Sequence, residues 1–263
     1  MKIAVTTCRD PEKLDDQAKR IAKELAIDYV PREGHSLLSL YKLYDLNFLL
    51  VVEKERIILR SQNSEFFWHP NMATLRLQAL RRGKKDPMVE AMGLHEADQL
   101  LDCTFGLGAD ALVAAYIIGP SGTITGLESS PLIYFITKNG LENYGGEDIH
   151  LKALISPITI LNQNYQEYLS SLPDKSYDIV YFDPMFRQGQ EKSVGLQGLR
   201  PLANQEPLSI EAVREALRVA RKRVVLKESR YSQEFERLGV TRISGGKYSP
   251  VAYGIWEVSK EKK

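Results

Sequence analysis

From about residue 98 onward the chain alternates short apolar segments of strand character with helical runs, and this alternation constrains the fold more than any other feature. Strands are expected at 99–103, 123–127, 158–161, 179–182, 224–227 and 252–258. Helices are expected between them at 109–118, 132–143, 165–172, 210–220 and 233–238. Strands separated by helical crossovers can pair in parallel, and a parallel sheet must be covered on both faces. The expected fold class is therefore α/β, a Rossmann-like doubly wound sheet. Ligands on such sheets bind beyond the carboxyl ends of the strands, so the residues that follow each strand are the ones to read.

The first 90 residues read as a small α/β subdomain, with 91–263 forming the larger domain. Lys2–Thr6 has strand character and opens the chain in place of a secretion signal. Asp10 and Pro11 suit the first turn of a helix, and Leu14, Ala18, Ile21, Ala22 and Leu25 recur at helical spacing. Residues 48–52 and 56–59 flank a charged turn and read as a hairpin. Trp68-His69-Pro70 reads as a packing corner, a helical run follows to Leu80, and 83–87 is a junction.

The 99–103 segment runs into Asp102-Cys103-Thr104-Phe105-Gly106-Leu107-Gly108-Ala109-Asp110. Glycines here let the backbone turn sharply against a ligand, and the helix that follows offers free N–H groups. Gly106-x-Gly108-x-x-Ala111 also fits a dinucleotide fingerprint, with Glu128 at the end of the next strand placed to accept ribose hydroxyls, so a nicotinamide oxidoreductase is a competing reading. Asp102 discriminates between them. A carboxylate at that point repels a pyrophosphate but attracts the ammonium and sulfonium of S-adenosyl-L-methionine. Cys103 reads as a small core residue.

The fourth strand after the glycine turn ends in Asp183-Pro184-Met185-Phe186. An exocyclic amine on a base is a poor nucleophile, because its lone pair is delocalised into the ring. The Asp183 side chain and the Pro184 carbonyl can accept its two N–H groups and turn the lone pair outward, and Phe186 can stack on the base. At the end of the third strand, Asn164 can read an adenine edge or cap the next helix.

Taken together, Asp-x-Thr-x-Gly-Leu-Gly-x-Asp-Ala at 102–111, Leu127-Glu128-x-x-Pro131, Asp183-Pro184-Met185-Phe186, and Arg223-Val224-Val225-x-Lys227 with Tyr231 resemble the bacterial small-subunit ribosomal RNA guanine-N2 methyltransferases, a class I S-adenosylmethionine-dependent family. The resemblance covers about residues 70–255. It implies transfer of a methyl group to a guanine N2 amine, with ribosomal RNA or the small subunit as partner. It also implies a cofactor site lined by Asp102, Thr104, Gly106, Gly108, Ala109, Asp110, Glu128, Ser129, Asn164, Tyr165 and Asp183. Asp183, Pro184 and Phe186 would carry the chemistry. Ala109 and Ser129 depart from the family pattern, which has arginine at both. The same acceptor motif would serve a DNA adenine or a protein amide, and a nucleotide-binding module without chemistry is the reading from another class.

Composition narrows the remaining classes. Lys and Arg number 35 and Asp and Glu 34, so no overall charge announces a partner, and 43% apolar with 26% charged residues excludes a disordered chain. Charge is uneven: 96–186 carry three basic and twelve acidic residues, whereas 187–230 carry ten basic and five acidic. Arg76, Arg81, Arg82, Lys84 and Lys85 form a further basic cluster suited to a polyanion. Two cysteines cannot build a disulfide framework or a four-thiolate metal site, and the four histidines lack ligand spacing, so no metal is expected. No apolar run reaches the ~18 residues of a membrane span, and a reducing cytoplasm is the expected location. The 187–207 segment is long for a connection beside an active site and suits a substrate-covering loop.

Overall fold

The computed structural model describes residues 1–8, 14–144, 149–184, 201–246 and 248–258. In chain order the elements are β1 (Ile3–Thr7), α1 (Asp15–Glu24), β2 (Asp28–Tyr29), α2 (Leu37–Leu43), β3 (Phe48–Val52), β4 (Ile57–Arg60), β5 (Glu65–Phe66), α3 (Asn71–Arg81) and α4 (Pro87–Met92). They continue as β6 (Gln99–Asp102), α5 (Ala109–Ile118), β7 (Thr123–Leu127), α6 (Pro131–Glu142), α7 (Ile149–Ile155), β8 (Ile158–Leu161), α8 (Tyr165–Ser171) and β9 (Tyr177–Phe182). The last are α9 (Ile210–Val219), β10 (Ala220–Ser229), α10 (Glu234–Arg237), β11 (Arg242–Ser244) and β12 (Val251–Glu257). The described residues fall into two compact units.

The first unit holds residues 1–69 with α6 and is built on a five-stranded sheet ordered β2-β1-β3-β4-β5. β1 pairs in parallel with β2 and β3, and β3 and β4 form the expected hairpin with Val52 opposite Ile57. Every residue of β3 is buried, which is why its sequence, Phe-Leu-Leu-Val-Val, is apolar without alternation. α1 turns Ala18, Ile21 and Ala22 inward at the expected spacing. Its expected start at Asp10 and Pro11 lies outside the described residues. Trp68 is a packing corner, buried and edge-on to Tyr144 at 5.9 Å.

The second unit holds a seven-stranded sheet ordered β11-β12-β10-β9-β6-β7-β8, parallel except for β12. This is the Rossmann-like α/β fold expected from the alternation. Of the larger sheet's strands, only the three-residue β11 has no sequence counterpart; it is a short edge strand, mostly exposed, without an apolar period. Leu101, Val180, Phe182, Val224 and Leu226 from the central strands pack with Ala212, Val213 and Ala216 of α9 in one apolar cluster. Residues 70–90, read from the sequence with the N-terminal part, group with this unit: α3 packs on α5, and α4 packs on α5, β10 and β12.

The chain winds outward from β6 through β7 to β8, then returns to β9 on the other side of β6. Strand order therefore reverses between β6 and β9, and a crevice opens at their carboxyl ends. In register, Asp102 at the end of β6 pairs with Tyr181, two residues before Asp183.

Candidate active site

Thr104 joins the two sides of the switch point. Its backbone N–H donates to Asp102 Oδ1 at 3.1 Å, and its hydroxyl oxygen accepts the backbone N–H of Asp183 at 2.5 Å. Asp102 is 2% exposed, and burial drives its carboxyl pKa well up; the Thr104 N–H opposes this, and the nearby Asp110 and Asp183 carboxylates add to it. At the end of β7, Glu128 accepts the Gly106 N–H at 3.1 Å and the Ser130 N–H at 2.8 Å. Burial raises the Glu128 pKa against those two donors. Glu128 thus holds the glycine turn from the end of β7.

The turn depends on a residue that the sequence reading left out, Phe105. Gly108 has φ +72° and stands as N-cap of α5. A Cβ there would lie 2.7 Å from the Phe105 ring, and a Cβ at Gly126 on β7 would lie 2.0 Å from it. The ring fills the floor beneath the turn, so both positions exclude side chains.

A chain of alternating charges crosses the same edge of the sheet. Asp86, the N-cap of α4, accepts Arg76 Nε and Nη2, each at 2.8 Å. Arg76 Nη1 pairs with Asp110 Oδ1. Asp110 Oδ2 accepts the Tyr181 hydroxyl at 2.7 Å and Lys227 Nζ at 3.0 Å, and Lys227 Nζ also reaches Asp183 Oδ2 at 2.6 Å. Burial works to raise the Asp110 pKa, but Lys227 and Arg76 outweigh it and the net direction is down. Burial works to lower that of Lys227, and the Asp110 and Asp183 carboxylates drive it up instead. For Asp183, burial prevails over Lys227, with help from Asp110, and lifts its carboxyl above the ordinary range. Asp183 Oδ1 has no hydrogen-bond partner among the described residues, and the side chain keeps 22% exposure.

The expected site residues are thus differently placed. Asp102, Thr104, Gly106, Gly108, Glu128 and Asp183 lie along the carboxyl ends of β9, β6 and β7. Both Asp110 oxygens are committed to the ion chain. Ala109 and Ser129 are half-buried, at the start of α5 and after β7. Asn164 caps α8, its Oδ1 accepting the Gln166 N–H at 2.8 Å, and Tyr165 is buried edge-on to Phe182 at 5.5 Å. A neighbour, Asn162, ties β8 to β7 by donating to the Glu128 carbonyl at 2.8 Å. Pro184 is half-buried; Phe186 and residues 187–200 lie outside the described residues. Cys103 belongs to the core, where burial pushes its thiol pKa up. Lys227 was missed as a site residue, although it ends the fifth expected strand and the rule of reading strand ends applies to it.

The family described as "Putative SAM-dependent methyltransferase" matches residues 37–248. The chain belongs to this family. Among relatives of the methyltransferase, the Bacillus subtilis protein YpiP is 38% identical over 97% of this chain and 98% of its own length. Ribosomal RNA small subunit methyltransferase J of Coxiella burnetii is 28% identical over 86% of both chains. The fold matches a crystal structure of a SAM-dependent methyltransferase from Neisseria gonorrhoeae with a TM-score of 0.64, at 17% identity, over 97% of this chain and 95% of that one.

S-adenosyl-L-methionine is the cofactor of the methyltransferase, and the crevice fits it chemically. Asp102, Glu128 and Asp183 bring carboxyl acceptors to the carboxyl ends of β6, β7 and β9, which suits the ammonium group and ribose hydroxyls of this cofactor. No group of His, Cys, Asp and Glu among the described residues is arranged to hold a metal, and no helix among them is long and apolar enough to cross a membrane.

Proposed function

We propose that this methyltransferase modifies the exocyclic N2 amine of a guanine in small-subunit ribosomal RNA. The observation that carries this reading is the Asp183 carboxylate at the switch point, with one oxygen held by Lys227 and the other without a partner among the described residues. Bound S-adenosyl-L-methionine supplies a methyl group on a positively charged sulfur. Glu128 would accept hydrogen bonds from ribose hydroxyls, Asp102 would face the cationic end, and the Gly106–Gly108 turn would let the backbone come close. Asp183 Oδ1 and the Pro184 carbonyl would take the two N–H groups of the amine and aim its lone pair, so that their work is orientation. The likeness to the Coxiella burnetii enzyme, which is named for ribosomal RNA, supports the substrate class. Methyl transfer to small-subunit RNA from a strain lacking the gene, with the modified nucleoside identified by mass spectrometry, tests the proposal; modification of DNA adenine or of protein alone would overturn it.

Two further outcomes are expected. Glu128→Ala should weaken binding of S-adenosylhomocysteine about 10- to 100-fold by calorimetric titration, the loss of one or two hydrogen bonds to a charged group. Unchanged affinity would remove Glu128 from the cofactor site. For RNA, Arg76 is spent on the ion chain, but Arg81, Arg82 and Lys84 are exposed and pair with no carboxylate among the described residues. Replacing Arg81 and Arg82 together by Ala should flatten the salt dependence of RNA affinity by about two counterions and leave cofactor affinity intact. An unaltered slope would make these arginines ordinary surface.

A further inference from the structure

Two tyrosines stand out at the carboxyl edge of the larger sheet. Tyr231 and Tyr248 are each 89% exposed. Tyr231 follows β10 and Tyr248 precedes β12, and because these strands are antiparallel, with Ser229 opposite Val251, the two residues emerge at one place. Arg230 locks the two turns together. Its backbone N–H donates to the Pro250 carbonyl at 2.9 Å, Nε donates to the Ser249 carbonyl at 2.8 Å, and Nη2 reaches the Gly246 carbonyl. The Ser249 N–H closes the second turn on the Gly246 carbonyl at 3.0 Å.

This rim adjoins the acceptor. In the parallel register of β9 and β10, Leu226 lies beside Phe182, which sets Lys227 level with Asp183. β10 ends two residues later, about 7 Å farther along the same direction. The two tyrosines thus lie just beyond the level of Asp183, on the carboxyl side of the neighbouring strand.

We propose that Tyr231 and Tyr248 form a stacking platform for unpaired nucleotides flanking the methylated one, so that the enzyme takes its target from a single-stranded segment. This rests on the RNA reading above. Aromatic faces recognise bases only where the bases are unstacked, because a duplex offers its edges and phosphates but not its base faces. Charge favours a polyanion over a neutral protein surface. Arg230 pairs with no carboxylate among the described residues. Arg81, Arg82 and Lys84, which likewise pair with no carboxylate among the described residues, lie at the C-terminal end of α3, the helix whose Arg76 joins the ion chain. Arg230 also ties the segment that carries Tyr231 to the carbonyls of Gly246, Ser249 and Pro250 through three hydrogen bonds.

The test compares a 12-nucleotide single-stranded RNA of mixed sequence with the same strand in a blunt duplex, by fluorescence anisotropy in the presence of S-adenosylhomocysteine. The wild-type protein is expected to prefer the single strand. Tyr231→Ala with Tyr248→Ala should weaken that binding about 100-fold, roughly tenfold for each ring, with duplex and S-adenosylhomocysteine affinities unchanged. Tyr231→Phe with Tyr248→Phe should bind as wild type, since the ring face and not the hydroxyl makes the contact. Undiminished binding by the Ala pair, or a Phe pair as weak as the Ala pair, overturns the platform and leaves the RNA reading standing. Intact RNA binding with lost association to ribosomal subunits assigns the rings to a protein surface and overturns it too. A wild-type protein that binds S-adenosylhomocysteine but neither RNA overturns the RNA reading, and the platform with it.

Discussion

Asp183→Ala is expected to lower single-turnover methylation about 10²–10³-fold with cofactor saturating, the usual cost of losing one preorganised polar contact. The more informative variant is Asp183→Asn. Read from the residue type alone, asparagine should serve, because its amide oxygen can receive the amine N–H. The ion pair changes that expectation. Lys227 Nζ donates to Asp183 Oδ2 at 2.6 Å, so an asparagine would have to turn its single carbonyl oxygen toward the lysine and its NH₂ toward the amine. Two donors would then face each other. In the opposite orientation the same conflict arises at the lysine. Asp183→Asn should therefore fall within about tenfold of Asp183→Ala. Adding Lys227→Met should free the amide to rotate and recover part of the loss, a non-additivity that a double-mutant cycle reads directly. Nearly full activity in Asp183→Asn alone would show that the Lys227 contact is not kept in the reacting complex.

Lys227→Met is expected to destabilise the protein by about 3 kcal/mol at pH 7 in urea unfolding, at the low end for removing one partner of a buried pair because a quarter of the lysine side chain reaches solvent. The change leaves Asp110 and Asp183 without the cation between them. The pH dependence has a defined sign. Asp110 has a depressed pKa in the folded chain, so its contribution is present above the ordinary aspartate range and is lost as pH falls through and below it. Lys227 has a raised pKa, so its contribution is complete below the ordinary lysine value and is lost only as pH rises beyond it. Asp183, lifted by burial, works against the first effect and offsets part of it. In the variant, acidification relieves two facing carboxylates by protonating one. The stability gap between wild type and Lys227→Met should therefore narrow from pH 7 to pH 5. A gap that widens over that interval would place the cost in packing and not in charge.

The sequence by itself determined the sheet and its edge. Strands β6, β7, β8, β9, β10 and β12 and helices α5, α6, α8 and α9 stand within a few residues of their expected places, because apolar period is a local property of neighbouring residues. The glycine turn, Glu128 and Asp183 were legible for a related reason: the fold class fixes where strands end, and those residues follow strand ends. What holds these groups, and which way their pKa values move, was decided by the tertiary structure. Arg76 read as part of a basic surface and Asp110 as a cofactor contact, yet they pair with each other across 34 positions of the chain, and Lys227 reaches Asp110 across 117. The packing of Tyr165, edge-on to Phe182, likewise comes from the tertiary structure. Whether a charged side chain faces water, a ligand or an opposite charge depends on what the sheet brings within about 4 Å of it. Such distances leave no period in the sequence.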